Sequence, residues 1–391
     1  MLNVTTLMGG IPSASDKLRY GHGSALRSGG ERRPVVVWNS TRRCNLACVH
    51  CYSDSYSQMY EEMTHDEALA FIDDIAQLGS PALLMSGGEP LMRRRAVELI
   101  AHARAAGLSV TLSTNGTLIT PTVARRLAVV GVRYVGISLD GIGEVHDTFR
   151  GTKGAFERSL SGIRALTALG VPVGIRVTLT PTSIAALPDL FALAERERVS
   201  RACFYHLVPA GRGQQQVAVS PKDTRRAVEQ IFDWAEWLVE KGSPITVLTV
   251  DNYADGPALY MRSARQNPDR AEEVWRSLAW NGGARNASGR AIVAVDWEGN
   301  VRPDQFWSGP TLGSIRERPL SAIWSDPSPT LKAVRGRTAH VAGRCRQCRF
   351  LALCGGGLAS RALAATGDMY APDPGCHLTD DEVAGPAPVM A

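Results

Sequence analysis

Short apolar runs and amphipathic stretches alternate along the first two-thirds of the chain. Residues 34–39 (PVVVWN) are a β-rich run. Thr64, with Glu67 three positions on, predicts a capping box that opens a helix bearing Phe71, Ile72, Ile75 and Leu78 on one face, with Gly79 as its stop. The alternation continues through strand 81–86, helix 91–106, strand 108–113, helix 121–130 and strand 133–138. It then runs through helix 154–169, strand 171–179, helix 182–197 and strand 201–207. About six β/α units in succession imply parallel strands joined by right-handed crossovers. The expected class is α/β, a barrel or open barrel with its chemistry at the C-terminal ends of the strands. Periodicity alone does not separate this from a doubly wound sheet. Beyond residue 208 the pattern loosens to a helix at 221–241, a strand at 244–250, and a hairpin within 291–302 turning at Glu298-Gly299-Asn300. The rest of 251–340 shows few regular runs, and the tail from Val383 reads as disordered.

Composition narrows the class. The 391 residues are 44% apolar and 21% charged, which suits a soluble globular chain with one large domain and a smaller one. No apolar run approaches the roughly 18 residues of a membrane span. The opening MLNVTTLMGG lacks the features of a signal peptide, so a cytoplasmic location is expected. The net charge of +5 is spread without a dense basic block, which gives no case for nucleic acid.

Cysteine placement changes the picture more. Seven of the eight cysteines fall into two groups. In a reducing compartment, clustered thiols mean metal more often than disulfides. Cys44-x3-Cys48-x2-Cys51 puts three thiolates on the loop after the first strand. Three ligands on a four-iron cluster leave one iron open to a small molecule. Spacing alone also admits a zinc site with His50 as fourth ligand, an awkward place for one between two paired cysteines. Cys345-x2-Cys348-x5-Cys354, followed by Cys376, supplies four thiolates. These can close a [4Fe–4S] cluster or a structural zinc site. Cys203, inside a strand, reads as buried and inert.

The CxxxCxxC loop and Gly87-Gly88-Glu89-Pro90, one β/α unit later, resemble the radical S-adenosylmethionine (SAM) superfamily, whose core is a partial (β/α)6 barrel. The resemblance implies a cluster on Cys44, Cys48 and Cys51 whose open iron chelates SAM. One electron then yields a 5′-deoxyadenosyl radical that takes a hydrogen from the substrate. It implies SAM contacts from Gly87, Gly88 and Glu89, with Ser113, Asn115, Ser138 and Asp140 near the ribose and methionine, and Arg176 near the carboxylate. Cys345, Cys348, Cys354 and Cys376 resemble the C-terminal half of SPASM domains and imply one auxiliary [4Fe–4S] cluster. The expected division is an extension at 1–33, a core at 34–245, a SPASM-like domain at 246–382 and a tail at 383–391. An electron donor such as a flavodoxin or ferredoxin is implied.

Residues 34–55, 206–213 (HLVPAGRG), 280–283 (WNGG), 302–307 (RPDQFW) and 354–382 resemble radical SAM enzymes of siroheme-derived tetrapyrroles. They are most similar to the NirJ family of haem d1 biosynthesis, with the AhbC deacetylase family as near relative. The NirJ likeness implies removal of two propionates from 12,18-didecarboxysiroheme, and the AhbC likeness removal of acetates from the same molecule. Residues 286–290 and 309–311 depart from the family pattern. Tyr20, His22, His206, Arg212, Asp304 and Trp307 are candidate substrate contacts, through charge or stacking. Read singly, each also suits a core histidine, a surface arginine or a core tryptophan. Two other readings compete. One is a SPASM-type peptide maturase, which is expected to carry a longer precursor-binding region than the 33 residues before the first strand. The other is a non-enzymatic protein with two zinc sites.

Overall fold

Eight parallel strands form one continuous ladder, and their Val/Ile-rich sequences suit strands covered on both faces. The computed structural model describes residues 1–12, 16, 33–216, 218–280 and 287–385. The strands are β1 (Leu2–Asn3), β2 (Val35–Thr41), β3 (Ala82–Gly87), β4 (Ser109–Thr114), β5 (Tyr134–Ser138) and β6 (Val173–Leu179). They continue with β7 (Arg201–His206), β8 (Thr246–Val250), β9 (Ile292–Val295), β10 (Asn300–Arg302) and β11 (Gly313–Ser314). Their order in the sheet is β1-β8-β7-β6-β5-β4-β3-β2-β9-β10-β11. From β2 to β8 each strand pairs in parallel with its successor, so the sheet is an open barrel wall rather than a doubly wound sheet. The expected hairpin forms as β9 and β10, and β9 pairs in parallel with β2, which carries the sheet into the C-terminal part of the chain. At the other edge β1 pairs antiparallel with β8.

The helices follow the amphipathic pattern with instructive exceptions. Thr64 and Glu67 form the capping box of helix His65–Leu78, and Gly79 ends it in the left-handed region. The stretch expected as one helix over 182–197 is two, Pro181–Ala185 and Leu187–Arg196, with Pro188 in the first turn of the second. Helix Glu144–Arg150 lies in a stretch with no clear apolar stripe. Helices Asp255–Gln266 and Pro268–Trp280 occupy part of the segment that reads as irregular. Gly256 and Pro257 sit in the first turn of one and Pro268 opens the other, positions where such residues are tolerated yet look like breakers. Val383, expected to begin a disordered tail, is buried at the end of helix Asp380–Ala384. Among the described residues no helix is long and apolar enough to cross a membrane.

The core lies between the sheet and its helices. Phe204 on β7 is fully buried against Phe191 and Trp234, with ring centroids 5.8 and 6.2 Å away. Phe204→Ala removes that volume where the rigid neighbours relax little. It is expected to destabilise the apoprotein by about 3–5 kcal/mol in urea titrations followed by circular dichroism.

Candidate active site

The loop carrying Cys44, Cys48 and Cys51 has no regular structure, so its backbone groups need partners elsewhere. They find them on three other segments. The carbonyls of Phe149 and Arg150, at the end of helix Glu144–Arg150, each accept from the loop at 3.1 Å, from Val49 and Ala47 N–H. Arg212 donates its backbone N–H to Cys51 O and its Nε to Cys48 O, both at 2.9 Å. Glu89 N–H donates to Arg43 O, and Gly88 N–H to Thr41 O, both at 2.8 Å. These approaches are so close that side chains would block them. A Cβ on Gly88 would lie 2.3 Å from Arg43 O, on Gly151 2.6 Å from Ala47 O, and on Gly211 2.5 Å from Cys51 O.

Held this way, the three thiols face a pocket, partly open to solvent, at the C-terminal ends of β2 to β7. N–H groups point at the sulfurs: Leu46 at 3.5 Å from Cys44 Sγ, Ser55 at 3.4 Å from Cys51 Sγ, and Arg150 Nη1 at 3.5 Å from Cys48 Sγ. Burial pushes the Cys44 thiol up to about 12 and raises Cys48, the Arg150 cation opposing the rise at Cys48. His50 stacks on Phe149 with centroids 4.5 Å apart, and burial holds its imidazole neutral, down to about 4.

The residues expected around SAM divide into two sets. Gly87, Gly88, Ser113, Asn115, Ser138 and Arg176 lie on the pocket wall. Arg176 sits 4.5 Å from the Tyr205 ring centroid, a cation in a buried aromatic setting. Glu89 and Asp140 lie behind the wall. The Glu89 carboxylate accepts from Thr114 Oγ1 at 2.7 and 2.8 Å, from Asn115 N–H at 2.8 Å and from Leu91 N–H at 3.1 Å. It ties the two turns together and has no free face toward a ligand's ammonium. Asp140 is fully buried, ion-paired with Arg150 and hydrogen-bonded to Thr178 N–H at 2.7 Å. Burial works to raise its pKa, but the Arg150 guanidinium prevails and holds it below the usual range.

The expected substrate contacts are mostly turned to other tasks. Arg212 clamps the cysteine loop and pairs with Asp54 at 2.8 Å. Asp304 is buried, accepting from Ser288 and Ser360 hydroxyls and from Phe306 N–H at 2.9 Å. Trp307 is a core residue packed near Val334 and Ala359, its Nε1 donating to Pro310 O at 3.1 Å. His206 does line the pocket, yet its Nε2 lies 3.0 Å from Asp255 and its Nδ1 3.3 Å from Asn252 Nδ2, so both nitrogens have protein partners. Tyr20 and His22 lie outside the described residues. Pocket residues that the motifs did not single out include Tyr52, Arg150, Gln305 and Phe306. Phe306 adjoins Trp307, so the RPDQFW segment does reach the pocket, through a different aromatic. Its ring meets Tyr52 edge-on at 5.4 Å.

The second cysteine group sits where the C-terminal segment meets the ends of β7 and β8. Arg337 is almost fully buried and sends its guanidinium to the carbonyls of Gly355, Gly356 and Gly357 at 3.0–3.2 Å and of Ala371 at 3.1 Å. It thereby joins the turn after Cys354 to the loop before Cys376. Those three glycines all have φ between 61 and 85°, a run that only glycine adopts without strain. A buried Arg361–Asp373 pair at 2.9 Å ties this loop to the barrel, since Arg361 also reaches Asp251 O at 2.5 Å and Leu207 O at 3.3 Å. Burial raises the thiols of Cys345, Cys354 (to about 12) and Cys376 (to about 11). His377, next to Cys376, meets Asp255 Oδ1 at 2.9 Å, while His206 takes Oδ2.

Both thiol groups fit iron–sulfur clusters. All seven are free, three are buried and four half-buried, and backbone N–H donors aim at sulfur, the outer contacts that stabilise cluster thiolates. A match over residues 38–194 to the radical SAM superfamily, and over 288–349 to the SPASM iron–sulfur cluster-binding domain, agrees. The fold is that of Streptococcus suis SuiB bound to S-adenosylmethionine, at a TM-score of 0.69 and 16% identity over 90% of this chain and 80% of that one. The chain therefore belongs to the radical SAM superfamily, in its SPASM-bearing branch, and is an enzyme that works with SAM, a [4Fe–4S] cluster and auxiliary cluster chemistry. Among its relatives, Fe-coproporphyrin III synthase of Methanosarcina barkeri is 46% identical over 98% of this chain and 99% of its own length. Pre-heme d1 synthase of Dinoroseobacter shibae is 41% identical over 90% and 88%. This is the haem-synthesis family of radical SAM enzymes.

Because Gly88 allows the approach that seats the cysteine loop, Gly88→Ala is expected to leave the fold intact by circular dichroism. The reconstituted protein is expected to lose about half its iron, the share of one of two clusters.

Proposed function

We propose that this enzyme removes carboxylated side chains from a siroheme-derived iron tetrapyrrole, and that the groups removed are the acetates of 12,18-didecarboxysiroheme. The observation that carries this reading is the end-to-end 46% identity with an Fe-coproporphyrin III synthase. A coproporphyrin keeps its propionates and bears methyls, so acetates are what such a reaction must take away. Removal of two propionates on the way to haem d1 is the second reading, favoured by the 41% identity with a pre-heme d1 synthase.

In this reading Cys44, Cys48 and Cys51 hold one cluster, and Cys345, Cys348, Cys354 and Cys376 hold the auxiliary one. With an electron from a flavodoxin- or ferredoxin-like donor, a cluster and SAM held there would supply the radical chemistry needed to cleave an unactivated C–C bond. The chain's own residues position the reactants. Backbone groups of Gly87 and Gly88 would hold the SAM ammonium, Arg176 would pair with a carboxylate, and Ser113, Asn115 and Ser138 would line the nucleoside side, since all of them lie on the pocket wall. Tyr52 and Phe306 offer aromatic edges to a flat macrocycle, and Val37 and Leu84 keep that end of the pocket dry.

The test is an anaerobic reaction of reconstituted protein with SAM, a strong reductant and 12,18-didecarboxysiroheme, read by mass spectrometry. Loss of two acetates with 5′-deoxyadenosine formed is the expected result. Loss of two propionates moves the assignment to the second reading, and 5′-deoxyadenosine with an untouched tetrapyrrole overturns the substrate. Replacing Cys44, Cys48 or Cys51 by Ala is expected to reduce SAM cleavage to background. Cys345→Ala is expected to lose auxiliary iron yet retain some uncoupled cleavage, measured as 5′-deoxyadenosine without tetrapyrrole product.

A further inference from the structure

Arg150 ends helix Glu144–Arg150, is only 7% exposed, and touches the cysteine loop twice. Its carbonyl accepts Ala47 N–H at 3.1 Å, and its Nη1 donates to Cys48 Sγ at 3.5 Å. The other arm of the guanidinium is gripped by Asp140, which is itself immobilised. Asp140 is fully buried, accepts Thr178 N–H at 2.7 Å, and donates its own N–H to His146 Nδ1 at 3.2 Å. The carboxylate thus stands away from the sulfur and the guanidinium stands against it. The ends of β5 and β6 fix this order.

We infer that Arg150 is a positioning residue that raises the reduction potential of the SAM-binding cluster, through its N–H···S bond to Cys48 and its buried positive charge. This rests on the reading that Cys44, Cys48 and Cys51 hold that cluster. Reduction adds an electron to a buried, already anionic cluster, so a cation and an N–H donor at a ligand sulfur favour the reduced form. Radical SAM chemistry begins with that reduction, so the device acts on the step that admits the electron. Arginine suits the task because its planar fork holds carboxylate and sulfur at fixed angles, where a lysine would offer a flexible point charge.

The test is an anaerobic redox titration of the reconstituted full chain followed by electron paramagnetic resonance, reading the signal that changes when SAM is added. Arg150→Gln is expected to keep its iron and to shift the midpoint downward. At a fixed potential its reduced-to-oxidised ratio should fall about tenfold or more, which is ~59 mV for one electron. Arg150→Lys, with the charge but not the fork, is expected to fall between the two. A wild-type midpoint in Arg150→Gln with full iron overturns the proposal and leaves the cluster assignment standing. Should Arg150→Gln fail to assemble the cluster, Arg150→Lys decides. A lowered midpoint there supports the proposal and a wild-type midpoint overturns it. The assignment itself fails instead if Cys48→Ala keeps the SAM-responsive signal.

Discussion

The structure depends on the way one irregular loop is held. Residues 44–51 make few regular hydrogen bonds of their own, yet they must keep three thiols in fixed relative positions. Backbone polar groups buried without partners cost free energy, so the loop is ordered only where other segments supply donors and acceptors. Here the end of helix Glu144–Arg150, the segment around Arg212, and the Gly87–Glu89 turn all do so. Each of these segments is in turn anchored to a strand end of the sheet. The glycines at 88, 151 and 211 are the points where backbone meets backbone without room for a Cβ.

The C-terminal segment is fastened to the same end of the barrel by buried charge. Arg337 joins two cysteine-bearing turns, and Arg361 with Asp373 joins those turns to the ends of β7 and β8. A buried charged group is costly unless fully paired, so such arginines specify one arrangement of the loops rather than merely adding stability. Asp255 lies between His206 on the pocket wall and His377 beside Cys376, so the pocket and the second thiol group share one hydrogen-bonded element. Its carboxyl is held far below the usual range because the favourable interactions with the two imidazoles outweigh its burial.

Much of the fold was legible in local pattern. Short apolar runs, the Thr64–Glu67 capping box and Gly79 each reflect interactions within a few residues. The two cysteine groups and the GGEP turn were legible for the same reason, since a cluster-binding loop draws its ligands from neighbouring positions. Helices Asp255–Gln266 and Pro268–Trp280 were not, because their early glycine and prolines look like breakers where tertiary packing sustains a helix. Glu89, Asp140, Arg212 and Asp304 read as ligand contacts because they are polar residues in functional-looking motifs. Polarity alone does not distinguish a side chain that faces a ligand from one that satisfies a buried backbone group.

The amino-acid sequence by itself determined the α/β class, the parallel alternation, the thiol groups and the superfamily, all properties of short-range spacing. The tertiary structure alone decided which polar residues face the pocket. It turned Arg212 to the cysteine-loop backbone and Glu89 to Thr114 and Asn115, gave both His206 nitrogens protein partners, put Phe306 rather than Trp307 on the wall, and brought Arg150 against Cys48. The physical reason is that these contacts join residues 25 to 164 positions apart, on different strands, helices and loops. Such juxtapositions are fixed only when the strands pair and the helices pack on the sheet.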